Sequence, residues 1–265
     1  MKESGATDST ALLVIEIGNS HLAVAQFVDR NVKSLQRMTL DELGALPGVI
    51  GPMWEALPEE PGRAVVLGSV VPQATERVEA VVGQETGTAA HVVGRDLSLP
   101  LALGTVDANT VGVDRVCAAA AAVQRFERNC AVASFGTATT IDCATATGEF
   151  LGGCILAGVG MQLAALHEQT AQLPLVQLHK PRQVFGHTTP EAINNGVLFG
   201  AAGALRDVVE RYATELGRWP HLVLTGGFAS LVAEVCDFVD AIVPDLCVAG
   251  LALAYEKAAA SGEVT

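Results

Sequence analysis

The chain has 265 residues, of which 50% are hydrophobic, 17% charged and 5% aromatic, and its formal net charge is −13. It is long enough for one large domain or two ordinary ones with buried cores, and its acidic, aromatic-poor composition argues against nucleic-acid binding through a basic or stacking surface. No apolar stretch reaches the roughly 20 residues of a membrane span, and the polar first ten residues lack the charge pattern of a signal peptide. We therefore expect a cytoplasmic protein that binds neither nucleic acid nor membrane, with a disordered tail at residues 1–10.

The first half of the chain opens with a predicted β-hairpin. Residues 11–17 form an apolar run, Gly18-Asn19-Ser20 forms a polar turn, and residues 22–28 alternate in the manner of a strand. Prolines and the sequence DELGAL within 39–62 predict a short helix between loops. Farther along, the pattern predicts a strand over 64–70, a helix over 75–82, a short strand over 91–93 and a long alanine-rich helix over 112–126.

The same order of strand, turn and strand recurs from residue 130. An apolar strand over 130–135 leads into the Gly/Thr-rich turn 136–140. A strand over 141–146 follows, and then a third strand that ends at Gly152-Gly153. Helices are predicted over 161–170, 189–216 and 248–260, and a strand over 222–224 that ends in Thr225-Gly226-Gly227. The recurrence predicts a duplicated α/β architecture with domains at 11–118 and 119–265.

Four turns rich in Gly, Thr and Ser follow apolar strands, and together they predict a phosphate-binding site. Glycine lets backbone N–H groups approach an anion, and hydroxyl groups add donors. The chain has no GxxxxGK[ST] motif and no GxGxxG between a strand and a helix, which argues against a P-loop or Rossmann site. The alternative for each segment is an ordinary β-turn. The four segments are Gly18-Asn19-Ser20, Gly136 to Thr140, Gly152-Gly153 and Thr225-Gly226-Gly227.

Two carboxylates, Glu16 and Asp114, are candidates for phosphoryl transfer, which needs an acid to orient the attacking hydroxyl and acids to hold Mg²⁺. Glu16 lies near the end of the first strand, two residues before its turn, and Asp114 lies at the start of the alanine-rich helix. An acid in the first turn of a helix also interacts favourably with the helix dipole, so capping is the alternative for Asp114. Asp142 lies within an apolar strand and needs a partner, a metal or water there.

Taken in chain order, the motifs resemble those of the type III pantothenate kinases, a family of the actin-like ATPase, sugar kinase and Hsp70 superfamily. Glu16-Ile-Gly-Asn-Ser20 is similar to the family's first phosphate motif, D-x-G-N-T, and Ser134 to Thr140 is similar to the second, D-x-G-T-A-T-T. Gly112-Val-Asp-Arg115 resembles G-A-D-R. The resemblance covers about residues 11–257 and is also carried by residues 152–174, residues 186–196, Leu224 to Gly227 and Gly250-Leu251.

The resemblance implies two ribonuclease-H-like domains with mixed sheets and with ATP in the cleft between them. It implies transfer of the γ-phosphoryl group of ATP to the 4′-hydroxyl of pantothenate, which gives 4′-phosphopantothenate in the first step of coenzyme A biosynthesis. It further implies a homodimer that uses Mg²⁺ and a monovalent cation, K⁺ or NH₄⁺.

The matching positions also imply roles for individual residues. Asp114 matches the proton acceptor, and Glu16 and Ser134 match positions associated with metal ions. The residues matched to ATP contacts are Glu16, Ile17, Gly18, Asn19, Ser20, His21, Leu22, Ala23, Gly136, Thr137, Thr139, Gly226 and Gly227. The residues matched to pantothenate contacts are Gly112, Val113, Asp114, Arg115, Thr170 and Thr189.

Two positions depart from the family motifs. Glu16 stands where the family has Asp, and Ser134 stands where the family has the Asp associated with the monovalent cation. Because a hydroxyl group brings no charge, we expect weak dependence on K⁺. Two alternatives remain open at this point: a weak or inactive homologue that acts by binding or regulation, and a kinase of another small hydroxyl substrate.

Overall fold

The structure is a computed structural model that describes residues 11–59 and 62–264, so the tail predicted at residues 1–10 lies outside the described residues. The chain divides into two compact units. Unit 1 consists of the described parts of Met1–Ala102, Asp107–Ala121 and Leu246–Thr265, and unit 2 of Leu103–Val106 and Ala122–Asp245. None of the helices in the described ranges is both long and apolar enough to cross a membrane.

Helices and strands follow one another in a similar order in the two halves of the chain. The strands are β1 (Ala11–Ile17), β2 (His21–Val28), β3 (Asn31–Thr39), β4 (Arg63–Ser69), β5 (Ala90–Val92), β6 (Cys130–Phe135), β7 (Ala138–Ala144), β8 (Phe150–Ala157), β9 (His221–Thr225) and β10 (Ala241–Ile242). The helices are α1 (Pro47–Glu55), α2 (Pro72–Thr86), α3 (Val113–Phe126), α4 (Val159–Glu168), α5 (Thr189–Leu216), α6 (Ala229–Ala233) and α7 (Leu246–Ser261), and a 3₁₀ helix spans Leu40–Ala45.

In unit 1, five strands form a mixed sheet in the order β3-β2-β1-β4-β5. β1, β2 and β3 are antiparallel neighbours, whereas β4 and β5 run parallel to β1. β1 is buried on both faces because alternate residues face two helix layers. Leu13 and Ile15 pack in one core cluster with α1 and α2, and Leu12 and Val14 pack in another with α3 and α7.

Unit 2 repeats this topology with the order β8-β7-β6-β9-β10. β6, β7 and β8 are antiparallel neighbours, and β9 and β10 run parallel to β6. One face of this sheet packs against α4, α5 and α6, with Phe135 and Ile141 of the sheet in the same core cluster as Leu163 and Leu198. The duplicated α/β architecture predicted from the sequence is therefore confirmed.

Several elements differ from the sequence prediction. The sequence predicted neither α6 nor β10, and β7 begins at Ala138, inside the segment 136–140 that was interpreted as a turn. β3 extends the first hairpin into a third strand, which was missed because its side chains are polar and mostly exposed at the sheet edge. The expected turn at Gly152-Gly153 is wrong, because both glycines lie inside β8. Gly153 pairs with Asp142, and a Cβ at Gly153 would collide with the Asp142 carboxylate. This glycine permits a close approach of two strands rather than a reversal of the chain.

The C-terminal helix α7 belongs to unit 1, although the sequence-based division placed residues 119–265 together. Leu251 of α7 occupies the space above Gly68 of β4, where any Cβ would meet its side chain. Gly250 of α7 lies against the backbone carbonyl of Cys117 on α3, so that a Cβ at position 250 would collide with it. A division read from the sequence assumes contiguous segments, whereas the packing of α7 returns the end of the chain to the first sheet.

Candidate active site

The turn between β1 and β2 holds the accessible part of the first predicted ATP segment. Gly18 and Ser20 are half-buried, and Asn19 and His21 are exposed. The Gly18 N–H donates a hydrogen bond of 2.9 Å to the carbonyl of His21, and a Cβ at Gly18 would lie 3.3 Å from that oxygen. The turn is tight enough to favour glycine. The remaining uncharged members of the segment have buried side chains and could reach a ligand only through their backbone: Ile17, Leu22 and Ala23.

Glu16 places a carboxylate on a specific face of this sheet. Strand alternation puts it on the same face as Leu12 and Val14, which is the face covered by α3 and α7. Its neighbours across the sheet are Ala23 of β2 and Gly68 of β4. Both neighbours are small, and the side chain of Leu251 in α7 fills the space above Gly68.

Asp114 lies in the first turn of α3 and is half-buried. Burial raises the pKa of its carboxyl group above the ordinary value, although hydrogen bonds from the backbone N–H groups of Asp114 and Arg115 and the positive charge of Arg115 act in the opposite direction. A Cβ at Gly112 would collide with the carboxylate. The Gly-Val-Asp-Arg sequence therefore provides both the space and the backbone donors for this side chain.

Two cysteines adjoin these two carboxylates. Cys117 follows Asp114 by one turn of α3, and burial together with the charges of Asp114 and Glu16 raises the pKa of its thiol well above the ordinary value. Cys247, in the first turn of α7, interacts with the same carboxylates and donates a hydrogen bond to Glu16. The structure thus brings together Glu16 and Asp114, which the sequence identified separately. The two thiols were missed, because their spacing in the chain carries no recognisable pattern.

A cavity of about 600 Å³ opens in unit 1 beside the Asp114 segment. Its walls are formed by residues 93–99, by residues 108–113 and by Ser69-Val70 at the end of β4. Gly112 and Val113, two of the predicted pantothenate contacts, belong to this wall. Asp114 follows them directly in the chain.

The cation in the cavity wall is already paired. The Arg95 guanidinium lies 2.6 Å from the Glu79 carboxylate and 2.8 Å from that of Asp96. Asp96 in turn accepts a hydrogen bond of 2.9 Å from the backbone N–H of Val92. These contacts fix the segment that forms one side of the cavity, and they satisfy the charge of Arg95 within the protein.

In unit 2, three glycine-bearing turns meet at one edge of the sheet. In the β6–β7 turn, the Gly136 N–H donates a hydrogen bond of 3.1 Å to the carbonyl two residues later, and Thr137 is exposed. After β9, Gly226 has φ +91, and a Cβ there would lie 2.6 Å from the Phe135 carbonyl oxygen. After β8, Gly158 begins α4 and lies directly against the Thr137 carbonyl. Exposed Gly227 extends the same turn as Gly226.

Ser134 lies in β6 two residues before the turn glycine, as Glu16 does in β1. It is half-buried and pairs with Thr140 of β7 and with Thr225 of β9. Three hydroxyl side chains therefore form a row across the sheet. The Thr225 hydroxyl donates to the carbonyl of Pro244 at 3.3 Å. This part of unit 2 supplies oxygen atoms without a formal charge.

The other predicted contacts in unit 2 have different surroundings. The Thr139 side chain is buried, and its Oγ1 atom has no hydrogen-bond partner. The Thr170 hydroxyl donates to the carbonyl of Leu166 at 2.7 Å at the end of α4. Thr189 is exposed as the first residue of α5, directly after the N-cap Thr188. Thr170 and Thr189 are therefore exposed residues, whereas Thr139 is buried.

The described residues 11–59 and 62–264 contain no cluster of three or more His, Cys, Asp or Glu side chains arranged to hold a metal ion. A divalent ion at this site would therefore depend on one or two carboxylates together with ligand oxygens and water, as Mg²⁺ commonly does with nucleotides. The oxygen donors of Glu16 and Asp114 are of the type that Mg²⁺ prefers.

The amino-acid sequence matches a family of known proteins. The family model described as type III pantothenate kinase matches residues 12–211. The type III pantothenate kinase of Dehalococcoides mccartyi (strain ATCC BAA-2266 / KCTC 15142 / 195) is 32% identical over 256 residues, which cover 94% of this chain and 98% of that protein.

Solved structures share the architecture at lower sequence identity. Component A of (R)-2-hydroxyglutaryl-CoA dehydratase from Acidaminococcus fermentans superposes with a TM-score of 0.56 at 14% identity, over 95% of this chain and 100% of that one. The ethanolamine utilization protein EutJ from Carboxydothermus hydrogenoformans gives a TM-score of 0.55 at 15% identity, over 91% and 89% of the two chains. At these identities the likeness concerns the fold alone.

Proposed function

Because the chain belongs to the type III pantothenate kinase family, we propose that it transfers the γ-phosphoryl group of ATP to the 4′-hydroxyl of pantothenate, in the first step of coenzyme A synthesis. The observation that carries this proposal is the position of Asp114. Its half-buried carboxylate follows the wall of the cavity in unit 1 and shares the surroundings of Cys117 and Cys247 with Glu16. Cytoplasmic location stays a prediction.

Asp114 acts in this proposal as the proton acceptor for the substrate hydroxyl. Burial raises its pKa, which makes the carboxylate a stronger base than an exposed aspartate. In a loose transition state the hydroxyl proton leaves late, so holding the hydroxyl in line with the phosphorus contributes as much as basicity. Its two backbone hydrogen bonds fix the carboxylate for that task.

The cavity beside Asp114 is the proposed site for pantothenate. Gly112 and Val113 line it. Arg115 directly follows Asp114 in the chain, and its guanidinium could pair with the substrate carboxylate. Thr170 and Thr189 stay predicted contacts. Of the two, Thr189 fits the role better, because the Thr170 hydroxyl already donates to the carbonyl of Leu166 in the last turn of α4.

Backbone turns rather than basic side chains bind the nucleotide in this proposal. In unit 1 the tight turn that the Gly18 N–H closes presents the backbone of Asn19 and Ser20. In unit 2 the turn at Gly226 lies against the backbone of Phe135, the residue before Gly136. Successive N–H groups in such turns attract phosphate without a lysine. The side chain of Thr139 is buried, so in this proposal it stabilises the fold, and any contact with the nucleotide is made by the Thr139 backbone.

Glu16 is the residue that would hold Mg²⁺, with the phosphates and water as the other ligands. The donor set fits the ion, because Mg²⁺ takes oxygen ligands and often only one or two protein carboxylates. When bound, the ion neutralises charge on the β- and γ-phosphates. We propose that Ser134 and the adjacent hydroxyl row make any monovalent cation site weak, because they bring no negative charge.

We also propose a homodimer. β8 is an edge strand, and several large apolar side chains of unit 2 are exposed on it and on nearby segments in the sequence. Light scattering should give twice the chain mass, and a charge at Ile155, which is 63% exposed, should produce monomers. The exposed side chains are Leu151, Ile155, Met161, Leu175, Val184, Phe185 and Phe199.

The decisive test is an assay of the purified chain with ATP, Mg²⁺ and pantothenate. Mass spectrometry should detect 4′-phosphopantothenate, and ADP should form in equal amount. Pantothenol, which keeps the 4′-hydroxyl but replaces the carboxylate with an alcohol, serves as the matched acceptor. No ADP with either acceptor would favour a binding protein, and turnover with unrelated alcohols alone would favour a kinase of another substrate.

A further inference from the structure

Glu16 carries one methylene more than aspartate, and the sheet around it does not restrain the added length. Its neighbours in the ladder are Ala23 and Gly68, which offer one carbon or none at the side-chain position. A glutamate side chain has an additional rotatable bond, and holding it in one rotamer costs conformational entropy. Helices α3 and α7 cover the face of the sheet on which this carboxylate lies.

Helix α7 supplies the nearest cover. The Leu251 side chain fills the space where a Cβ of Gly68 would lie, so α7 contacts the sheet at the strand next to Glu16. Cys247 precedes Leu251 by one helical turn and therefore lies on the same face of α7. It packs against the core cluster that contains Leu12 and Val14.

The contact that results is a hydrogen bond from the Cys247 thiol to the Glu16 carboxylate. Burial and the nearby carboxylates raise the pKa of this thiol well above its ordinary value. A thiol donates a hydrogen bond through its S–H group, and a carboxylate oxygen accepts it.

We propose that Cys247 is a positioning residue that orients the Glu16 carboxylate for Mg²⁺ and nucleotide. This proposal rests on the proposed kinase function. The hydrogen bond from the thiol to the Glu16 carboxylate limits the rotamers that this glutamate can adopt. Cys247 itself touches neither substrate. In this way the hydrogen bond from Cys247 orders a glutamate side chain that is one methylene longer than the aspartate of the motif D-x-G-N-T.

The experiment measures four variants: Cys247→Ala, Cys247→Ser, Glu16→Gln and the double variant Glu16→Gln with Cys247→Ala. Cys236→Ala is the matched control, because Cys236 is also half-buried and has a raised thiol pKa but lies in unit 2. Calorimetry gives the affinity for ADP with Mg²⁺ and with excess chelator. Steady-state kinetics give the KM for ATP, the KM for pantothenate and kcat.

Removal of the donor should weaken Mg²⁺-dependent ADP binding by about tenfold, near the lower end of the contribution of a hydrogen bond to a charged group. The KM for ATP should rise in parallel, the KM for pantothenate should stay unchanged, and Cys247→Ser should restore most of the loss. With chelator the difference should vanish. On the Glu16→Gln background, Cys247→Ala should have no further effect, because the thiol acts through Glu16.

Three outcomes would overturn the proposal: wild-type ADP affinity in Cys247→Ala, an equal loss in the Ser variant, or an undiminished effect on the Glu16→Gln background. A melting temperature lowered in the Ala and Ser variants alike would accompany the second outcome and indicate packing. The calorimetric arm does not need turnover. If the chain binds ADP with the expected pattern but does not phosphorylate pantothenate, the proposed function fails and the role of Cys247 stands.

Discussion

The two units have sheets of the same topology but carry different polar side chains at the corresponding position of the first strand. In both, the first strand runs into a glycine turn, and the residue two positions before that glycine lies between an antiparallel and a parallel neighbour. In unit 1 this residue is Glu16, flanked by an alanine and a glycine. In unit 2 it is Ser134, flanked by two threonines. At the corresponding position of two sheets with the same topology, unit 1 therefore has a carboxylate and unit 2 has a row of hydroxyl groups.

The surroundings of the two positions differ in the same way. Unit 1 adds Asp114 from a helix N-terminus and two protonated thiols beside the carboxylates. Unit 2 adds glycine turns, and Gly226 in one of them lies against the backbone of Phe135, the residue before Gly136 of another. The carboxylates of Glu16 and Asp114 both lie in unit 1, whereas the matching part of unit 2 has hydroxyl groups and glycine turns. Each prediction below tests one side of this difference.

The largest effect is expected from Asp114→Asn, which keeps the shape and much of the capping ability of the side chain but removes the base. We expect kcat to fall by ~10²–10⁴, the usual contribution of a general base, with little change in ATP affinity. Asp41→Asn is the control, because Asp41 is an exposed acid in the first turn of the 3₁₀ helix. Near-normal turnover of a folded Asp114→Asn protein would leave this residue as a helix cap.

A large loss of nucleotide affinity is expected from Gly136→Val. The nearest atom to a Cβ at Gly136 is the Ala138 carbonyl oxygen at 3.7 Å, so the variant should fold while its side chain blocks the approach of phosphate. The Kd for ATP should rise about tenfold or more, as expected when hydrogen bonds to a charged group are lost. The control is Gly44→Val, at an exposed glycine with open space around it. Unchanged affinity measured by calorimetry would remove this turn from the site.

A smaller effect is expected from Ser134→Asp, which gives unit 2 the carboxylate that unit 1 has. The natural protein should respond weakly to K⁺, and the variant should show stronger stimulation because the added charge attracts a cation. Initial rates measured across a K⁺ series at constant ionic strength separate specific binding from screening. Strong, saturable activation of the natural protein would contradict the prediction.

The smallest effect is a displacement of the pH profile. Because burial raises the pKa of Asp114 above its ordinary 3.8, activity should be lost, as the pH falls, at a higher pH than an exposed aspartate would give. The raised pKa also means that the folded state prefers the neutral acid, so the charge lowers stability at neutral pH. Asp114→Asn should therefore not lower the melting temperature at pH 7. An acid limb that persists unchanged in the variant would assign it to another group.

Much of the fold could be predicted from the sequence because runs of apolar residues mark the strands that become buried. β1 and α5 were predicted with the bounds that the structure has, since an apolar run and a capping box define them locally. β3 was missed because a polar edge strand resembles a loop. Gly152-Gly153 was read as a turn because sequence cannot distinguish a glycine that reverses the chain from one that makes room for Asp142.

The sequence by itself determined the family, the duplicated fold and the identity of Glu16 and Asp114 as candidate residues, because motifs and hydrophobic patterns are local. Only the tertiary structure decided that both carboxylates neighbour the same two thiols, and that Cys247 donates to Glu16. That information depends on the return of α7 to the first sheet, where Leu251 covers Gly68 and Gly250 contacts Cys117. Contacts between segments so far apart in the chain arise from packing, and no local pattern encodes them.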